Sequence, residues 1–120
     1  YKAGPEVRDQ DFNIVPGAVD TFDLYAILFE SRPKDNFLYG DHDFKDPRNV
    51  AIARIPASDR LETSKWREIN FPFQLVEGKK YDPKKEYVLA IVMSSSIDGA
   101  NFTGAIGSTL IVDEVELIYN

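Results

Sequence analysis

The chain has 120 residues, 43% of them apolar and 12% aromatic, enough for one ordinary domain with a packed core. Its 14 basic and 20 acidic residues leave a net charge of -6, which argues against nucleic acid and anionic membrane surfaces as partners, because both call for a basic protein face. Cysteine is absent, which excludes disulfides, thiolate metal sites and cysteine nucleophiles, and no apolar run approaches the ~20 residues that span a bilayer.

Tyr1-Lys2-Ala3-Gly4-Pro5 reads like the end of a strand closed by a turn. With no initiator Met and no signal peptide, this opening leads us to expect a fragment of a longer precursor. Residues 9–17 are polar and stop at the turn pair Pro16-Gly17. Residues 21–30 form the first firm strand. Phe22, Leu24, Ala26 and Leu28 alternate with Asp23, Tyr25, Ile27 and Phe29, and both sets turn apolar after Asp23. A strand of that kind belongs in the middle of a sheet, covered on both faces.

Residues 31–48 are long and irregular, with Pro33, Gly40 and Pro47 and the aromatics Phe37, Tyr39 and Phe44. Such loops are usually functional or disordered, and the aromatics point to a packed, shaped one. Residues 50–55 predict a short strand, and residues 61–66 a connection with room for one helical turn. Residues 68–76 alternate cleanly, with Ile69, Phe71, Phe73 and Leu75 on one face. Pro72 cannot donate a ladder bond, so this strand belongs at a sheet edge or a bulge. Turns follow at residues 77–80 and 82–85. Residues 86–93 predict a buried strand, and Ser94-Ser95-Ser96-Ile97-Asp98-Gly99 opens a glycine-punctuated loop in which Gly99, Gly104 and Gly107 permit positive φ. Residues 108–119 predict the last strand. Its apolar phase changes between Val112 and Val115, so a bulge is expected near Asp113-Glu114. Several strands, frequent turns and no 3.6-residue pattern indicate an all-β fold of one domain over residues 1–120.

The pairing of Ser94-Ser95-Ser96-Ile97-Asp98-Gly99 with Gly104-Ala105-Ile106-Gly107-Ser108-Thr109-Leu110-Ile111-Val112-Asp113-Glu114-Val115, after an upstream Tyr-Lys-Ala-Gly opening, resembles the putative carbohydrate metabolism domain of Bacteroidetes surface and secreted proteins. Ile97 stands where that family commonly has lysine, and Glu114 where it has aspartate. The family is itself similar to galactose-binding-like jelly rolls and carbohydrate-binding modules. The resemblance therefore implies a jelly-roll β-sandwich of two antiparallel sheets, the C-terminal domain of a longer protein secreted by, or displayed on the envelope of, a bacterium. The partners it implies are a glycan and an N-terminal domain of the same polypeptide.

Recognition of a sugar combines aromatic stacking with hydrogen bonds from carboxylates, and binding groups concentrate on loops over a rigid scaffold. The candidate ligand-binding residues are accordingly Tyr39, Asp41, His42 and Phe44 in the long loop, together with Trp66. For Trp66 the competing reading, a tryptophan covering the end of the sandwich, weighs more. For the aspartates the alternative is ordinary turn formation. His42 is the only histidine, so no common zinc site is available. The oxygen-bearing residues Asp9, Asp11 and Asn13 alternate, and Asp113 could join them. Asp9, Asp11 and Asp113 are thus the candidate ligands of a structural calcium, as in many jelly-roll modules; no other cofactor is expected.

No Gly-x-Ser-x-Gly elbow marks a nucleophile. Gly104-Ala105-Ile106-Gly107-Ser108-Thr109 lacks the lysine of a phosphate loop and leads into a strand. Three functions are therefore carried forward. The first is a noncatalytic glycan-binding module, the second a structural or adhesin-like interaction domain, and the third a glycoside hydrolase, for which nothing singles out a carboxylate pair.

Overall fold

The computed structural model describes residues 1–34 and 43–118. The chain is nearly all β. Among the described residues the strands are β1 (Val7–Arg8), β2 (Asp23–Glu30), β3 (Asn49–Arg54), β4 (Gln74–Leu75), β5 (Tyr87–Ser94) and β6 (Gly104–Ala105), and the helical content is two 3-10 turns, Ala57–Asp59 and Gly99–Asn101. The strands form two antiparallel sheets, as the sequence led us to expect, one of order β1-β6 and one of order β4-β3-β2-β5. Two compact units emerge, interleaved along the chain.

The unit that holds the four-stranded sheet comprises residues 23–60 and 67–94. β2 is central, as its two apolar faces led us to expect, with Ile27 and Phe29 buried on one side. Ala51, Ala53 and Ile55 are buried on the other, opposite the half-buried Leu24, Ala26 and Leu28. Leu28 pairs with Ala51 and Phe29 with Asn49, so Val50 is an extra residue, a β-bulge in β3. Asp23 is buried beneath Arg54, whose Nη2 and Nε donate to its two oxygens at 2.7 and 3.2 Å. A buried carboxylate needs such partners, since an unpaired one costs several kcal/mol on the order of a lost fold.

Two expectations fail in this unit. β5 is an edge strand rather than a buried one, and Leu89, Ile91 and Met93 are exposed. The run at 68–76 pairs only through Gln74 and Leu75, on the far edge; the prolines and aromatics before it show strand alternation but find no ladder. Tertiary pairing sets strand length here, and alternation reports only which side chains share a face.

The other unit comprises residues 1–22, 61–66 and 95–120. Val7, Phe22 and Ala105 are its buried apolar residues. Tyr1 packs on Phe22 with ring centroids 4.8 Å apart. Lys2 and Thr109 exchange both backbone hydrogen bonds, at 3.0 and 2.8 Å. The predicted last strand ends there. Among the described residues nothing beyond Thr109 pairs in a ladder, and Ile111, Val115, Leu117 and Ile118 are exposed. Glu114, at φ 52, interrupts the extended run where a bulge had been expected. Residues 61–66 hold no helical turn. Of the loop glycines, Gly107 takes a positive φ of 92, while Gly99 and Gly104 do not.

Candidate functional site

The first candidate is a cleft of about 300 Å³ within the unit formed by residues 1–22, 61–66 and 95–120. Arg8, Asp9 and Phe12 contribute from the chain around β1. Ser96, Gly99, Phe102, Thr103, Gly104, Ala105 and Ile106 contribute from the glycine-punctuated loop.

The β1 side is built by a closed turn. Asp9 and Asn13 join backbone N–H to carbonyl at 2.9 Å, and Phe12 N–H donates to the Asp9 carbonyl at 2.9 Å. Asp9 Oδ1 accepts from the N–H groups of Asp11 and Asn13 at 3.0 and 2.9 Å, the way Asp side chains organise turns. This closure forces Phe12 into the left-handed region, at φ 65. Its carbonyl accepts from Arg8 Nη1 at 2.9 Å, and its ring lies 4.6 Å beneath the Arg8 guanidinium.

The opposite contribution is similar in kind. The 3-10 turn Gly99–Asn101 ends on Phe102, whose N–H donates to the Gly99 carbonyl at 3.0 Å and whose backbone is left-handed, at φ 55 and ψ 31. Phe12 is 62% exposed and Phe102 78%. The non-glycine residues with positive φ among the described residues are Phe12, Lys34, Phe102 and Glu114; the two aromatic ones both line this cleft. A bulky side chain in that region is an outlier and costs about 1–3 kcal/mol. Glycine or asparagine would sit there with less strain. Two exposed rings held in strained backbone on one cleft are therefore a functional signal.

Beneath the cleft lies the best-organised polar group of the unit. Asp20 is 7% exposed. Its Oδ2 accepts from Ser96 Oγ at 2.6 Å, Ser108 Oγ at 2.5 Å and Ala105 N–H at 3.1 Å, and its Oδ1 from Thr21 N–H at 3.0 Å. Ser108 Oγ in turn accepts from Gly4 N–H at 3.0 Å. Gly104 packs so closely that a Cβ there would stand 2.8 Å from Ser96 Oγ. With its charge fully hydrogen-bonded, Asp20 serves as the anchor that holds the cleft loop. Burial, then the nearby Asp20 and Glu62 charges, raises the Tyr1 phenol above its ordinary value of 10.0, against a lowering by the hydrogen bond to Ser108.

Residues 1–118 match the family described as "Putative carbohydrate metabolism domain". The chain belongs to this family. Over its full length it is similar to a solved protein described as a putative glycoside hydrolase from Bacteroides thetaiotaomicron, with 42% identity and a TM-score of 0.92, and it covers 36% of that protein. Over 88% of its length it is similar to another so described, from Bacteroides vulgatus, with 32% identity and a TM-score of 0.73, covering 43% of that protein. The chain thus spans less than half the length of either. No curated protein matches it.

In this member of the carbohydrate metabolism domain family, the two segments that carried the resemblance meet at one atom, because Ser96 and Ser108 share Asp20 Oδ2. The residues singled out from sequence are scattered by comparison. Tyr39, Asp41 and His42 lie outside the described residues. Phe44 is half-buried in the unit of the four-stranded sheet, edge-on to Tyr25 at 4.8 Å and 4.3 Å under the Arg54 guanidinium. There its ring packs against the arginine of the Asp23–Arg54 pair. Burial and the Asp23 charge raise the Tyr25 phenol, against the lowering by Arg54. Trp66 is 72% exposed, not a lid on a core.

Of the calcium candidates, Asp9 spends Oδ1 on its own turn and Asp113 Oδ1 accepts from Glu114 N–H at 2.8 Å. No group of three or more acidic, histidine or cysteine residues stands together among the described residues. Phe12, Phe102, Arg8 and Asp20 were missed. The available signal was an aromatic set in a run of turn formers, as in Asp9-Gln10-Asp11-Phe12-Asn13 and Gly99-Ala100-Asn101-Phe102-Thr103-Gly104.

Proposed function

We propose that this chain is a noncatalytic glycan-recognition module of a longer secreted or surface-displayed bacterial protein. The observation that carries the proposal is the pair of exposed, strained phenylalanines, Phe12 and Phe102, on one cleft. Aromatic faces are negative and stack on the weakly positive C–H face of a pyranose. Membership of a carbohydrate-related family supports the same reading. Hydrolysis calls for two carboxyl groups flanking the scissile bond, whereas the cleft is lined by one, Asp9. A glycan array probed with the full chain tests the proposal: binding to at least one glycan class supports it, and binding to none overturns it.

A second reading rests on a separate observation. Among the described residues no strand pairs with the outer edge of β5, which has no proline or lysine in it and exposes Leu89, Ile91 and Met93. Edges so unprotected pair readily with other chains. On this reading the chain is an interaction module that holds a neighbouring domain. Substituting Ile91 by lysine would then abolish self-association or partner capture and leave glycan binding intact.

A further inference from the structure

We infer that the Phe12–Phe102 cleft takes uncharged pyranose units and discriminates against uronate and sulfated glycans. The inference rests on the glycan-recognition reading and adds the chemical class of the ligand.

Among the described residues, Arg8 is the only cation that lines the cleft. An arginine that recognises a carboxylate or sulfate presents its fork of donors to the ligand. Arg8 already engages both terminal nitrogens within the chain: Nη1 donates to the Phe12 carbonyl at 2.9 Å, Nη2 to Glu6 Oε2 at 3.2 Å, and the guanidinium carbon lies 4.6 Å from the centroid of the Phe12 ring. Its role is to fix the orientation of Phe12, and Glu6 already balances its charge. Asp9 is the other charged lining residue. It spends Oδ1 on the turn and keeps Oδ2 as an acceptor. With Glu6 included, the local balance is one positive against two negative charges, on a chain whose net charge is -6. Anions are repelled at that balance, and hydroxyl donors are not. The remaining lining side chains, among them Ser96, Thr103 and Ile106, are uncharged. What the cleft offers is the exposed Phe102 ring, the Phe12 ring beneath Arg8, an acceptor carboxylate oxygen, and the hydroxyl oxygens of Ser96 and Thr103, whose protons go to Asp20 and the Asn101 carbonyl. That set matches the C–H face and hydroxyl rim of a neutral sugar.

The left-handed backbone supplies a test variant. Phe102→Gly removes the ring and relieves the strain at φ 55, so the variant folds at least as stably as the parent and still loses the stacking face. The experiment is affinity electrophoresis and calorimetry of the full chain with uncharged polysaccharides (mannan, galactan, mixed-linkage β-glucan, xylan). Heparin, chondroitin sulfate and polygalacturonate form the charged arm, and both arms run at low and high salt. Expected are binding to an uncharged polymer that is insensitive to salt and a loss of about tenfold in Phe102→Gly and in Phe12→Gly. Preference for a charged polymer, weakening with salt, overturns the inference and leaves glycan recognition standing. Neutral binding untouched by either glycine variant overturns it also, because the ligand then sits elsewhere. Binding to no polymer overturns both readings.

Discussion

Ser108 donates its hydroxyl to Oδ2 of Asp20 across 2.5 Å, and the same oxygen takes a second hydroxyl from Ser96 and the Ala105 N–H. A carboxylate that buried is stable only while its partners remain. Here the partners come from the two ends of the loop that carries Phe102. Asp20→Ala is expected to destabilise the protein by about 3 kcal/mol, since two hydroxyls and two N–H groups lose their acceptor together. Denaturant titration checks this, and an unchanged midpoint would remove Asp20 from its place as anchor.

Gly104 admits no side chain while Ser96 is held. A Cβ would stand 2.8 Å from Ser96 Oγ and 3.0 Å from Ser96 Cβ, and the Ser96 hydroxyl is tethered to Asp20. Gly104→Ala should cost about 1–3 kcal/mol. In an Asp20→Ala background the cost should shrink, because Ser96 can then move aside. A double-mutant cycle on melting measures the coupling, and strict additivity would show that the two sites are independent.

Trp66 is the single tryptophan and 72% exposed. Its emission is expected to be that of a solvated indole, readily quenched by acrylamide. Trp66→Ala should change stability by no more than about 0.5 kcal/mol. A buried-type emission spectrum would contradict the structure at this position.

Alkali should weaken the fold. Tyr1 and Tyr25 both hold their protons above the ordinary phenol value of 10.0, chiefly through burial. Above about pH 10 the unfolded chain releases these protons and the folded chain keeps them, so the folded state binds more protons and stability falls as pH rises. Their contribution is fully present below that pH. Spectrophotometric titration should show two phenols ionising late, and Tyr25→Phe should flatten part of the alkaline loss of melting temperature.

The periodicity of residues 21–30 was enough to put β2 inside the sheet and that of residues 50–55 to mark β3 as a strand, but the same two-faced apolar pattern at residues 86–93 belongs to the edge strand β5. The same reasoning overreached at residues 68–76 and 108–119. Both runs alternate, and neither finds more than a brief partner among the described residues. Phe44 read as a ligand residue because it is an aromatic beside aspartates, and that local pattern does not show that its ring packs on Arg54 and Tyr25. Nothing local marks the difference; Arg54, which covers its ring, comes from another strand.

The amino-acid sequence by itself determined the all-β class, the acidic character that disfavours nucleic acid, and a loop signature specific enough to imply the family. Those properties depend on composition, alternation and short-range turn chemistry, which are written along the chain. Only the tertiary structure decided that Ser96, Ser108 and Asp20 form one hydrogen-bonded anchor, that β5 is an edge, and that Phe12 and Phe102 face a common cleft. Each of these is a contact between residues far apart in sequence, set by which strand edges and turns close on one another, and no local pattern encodes it.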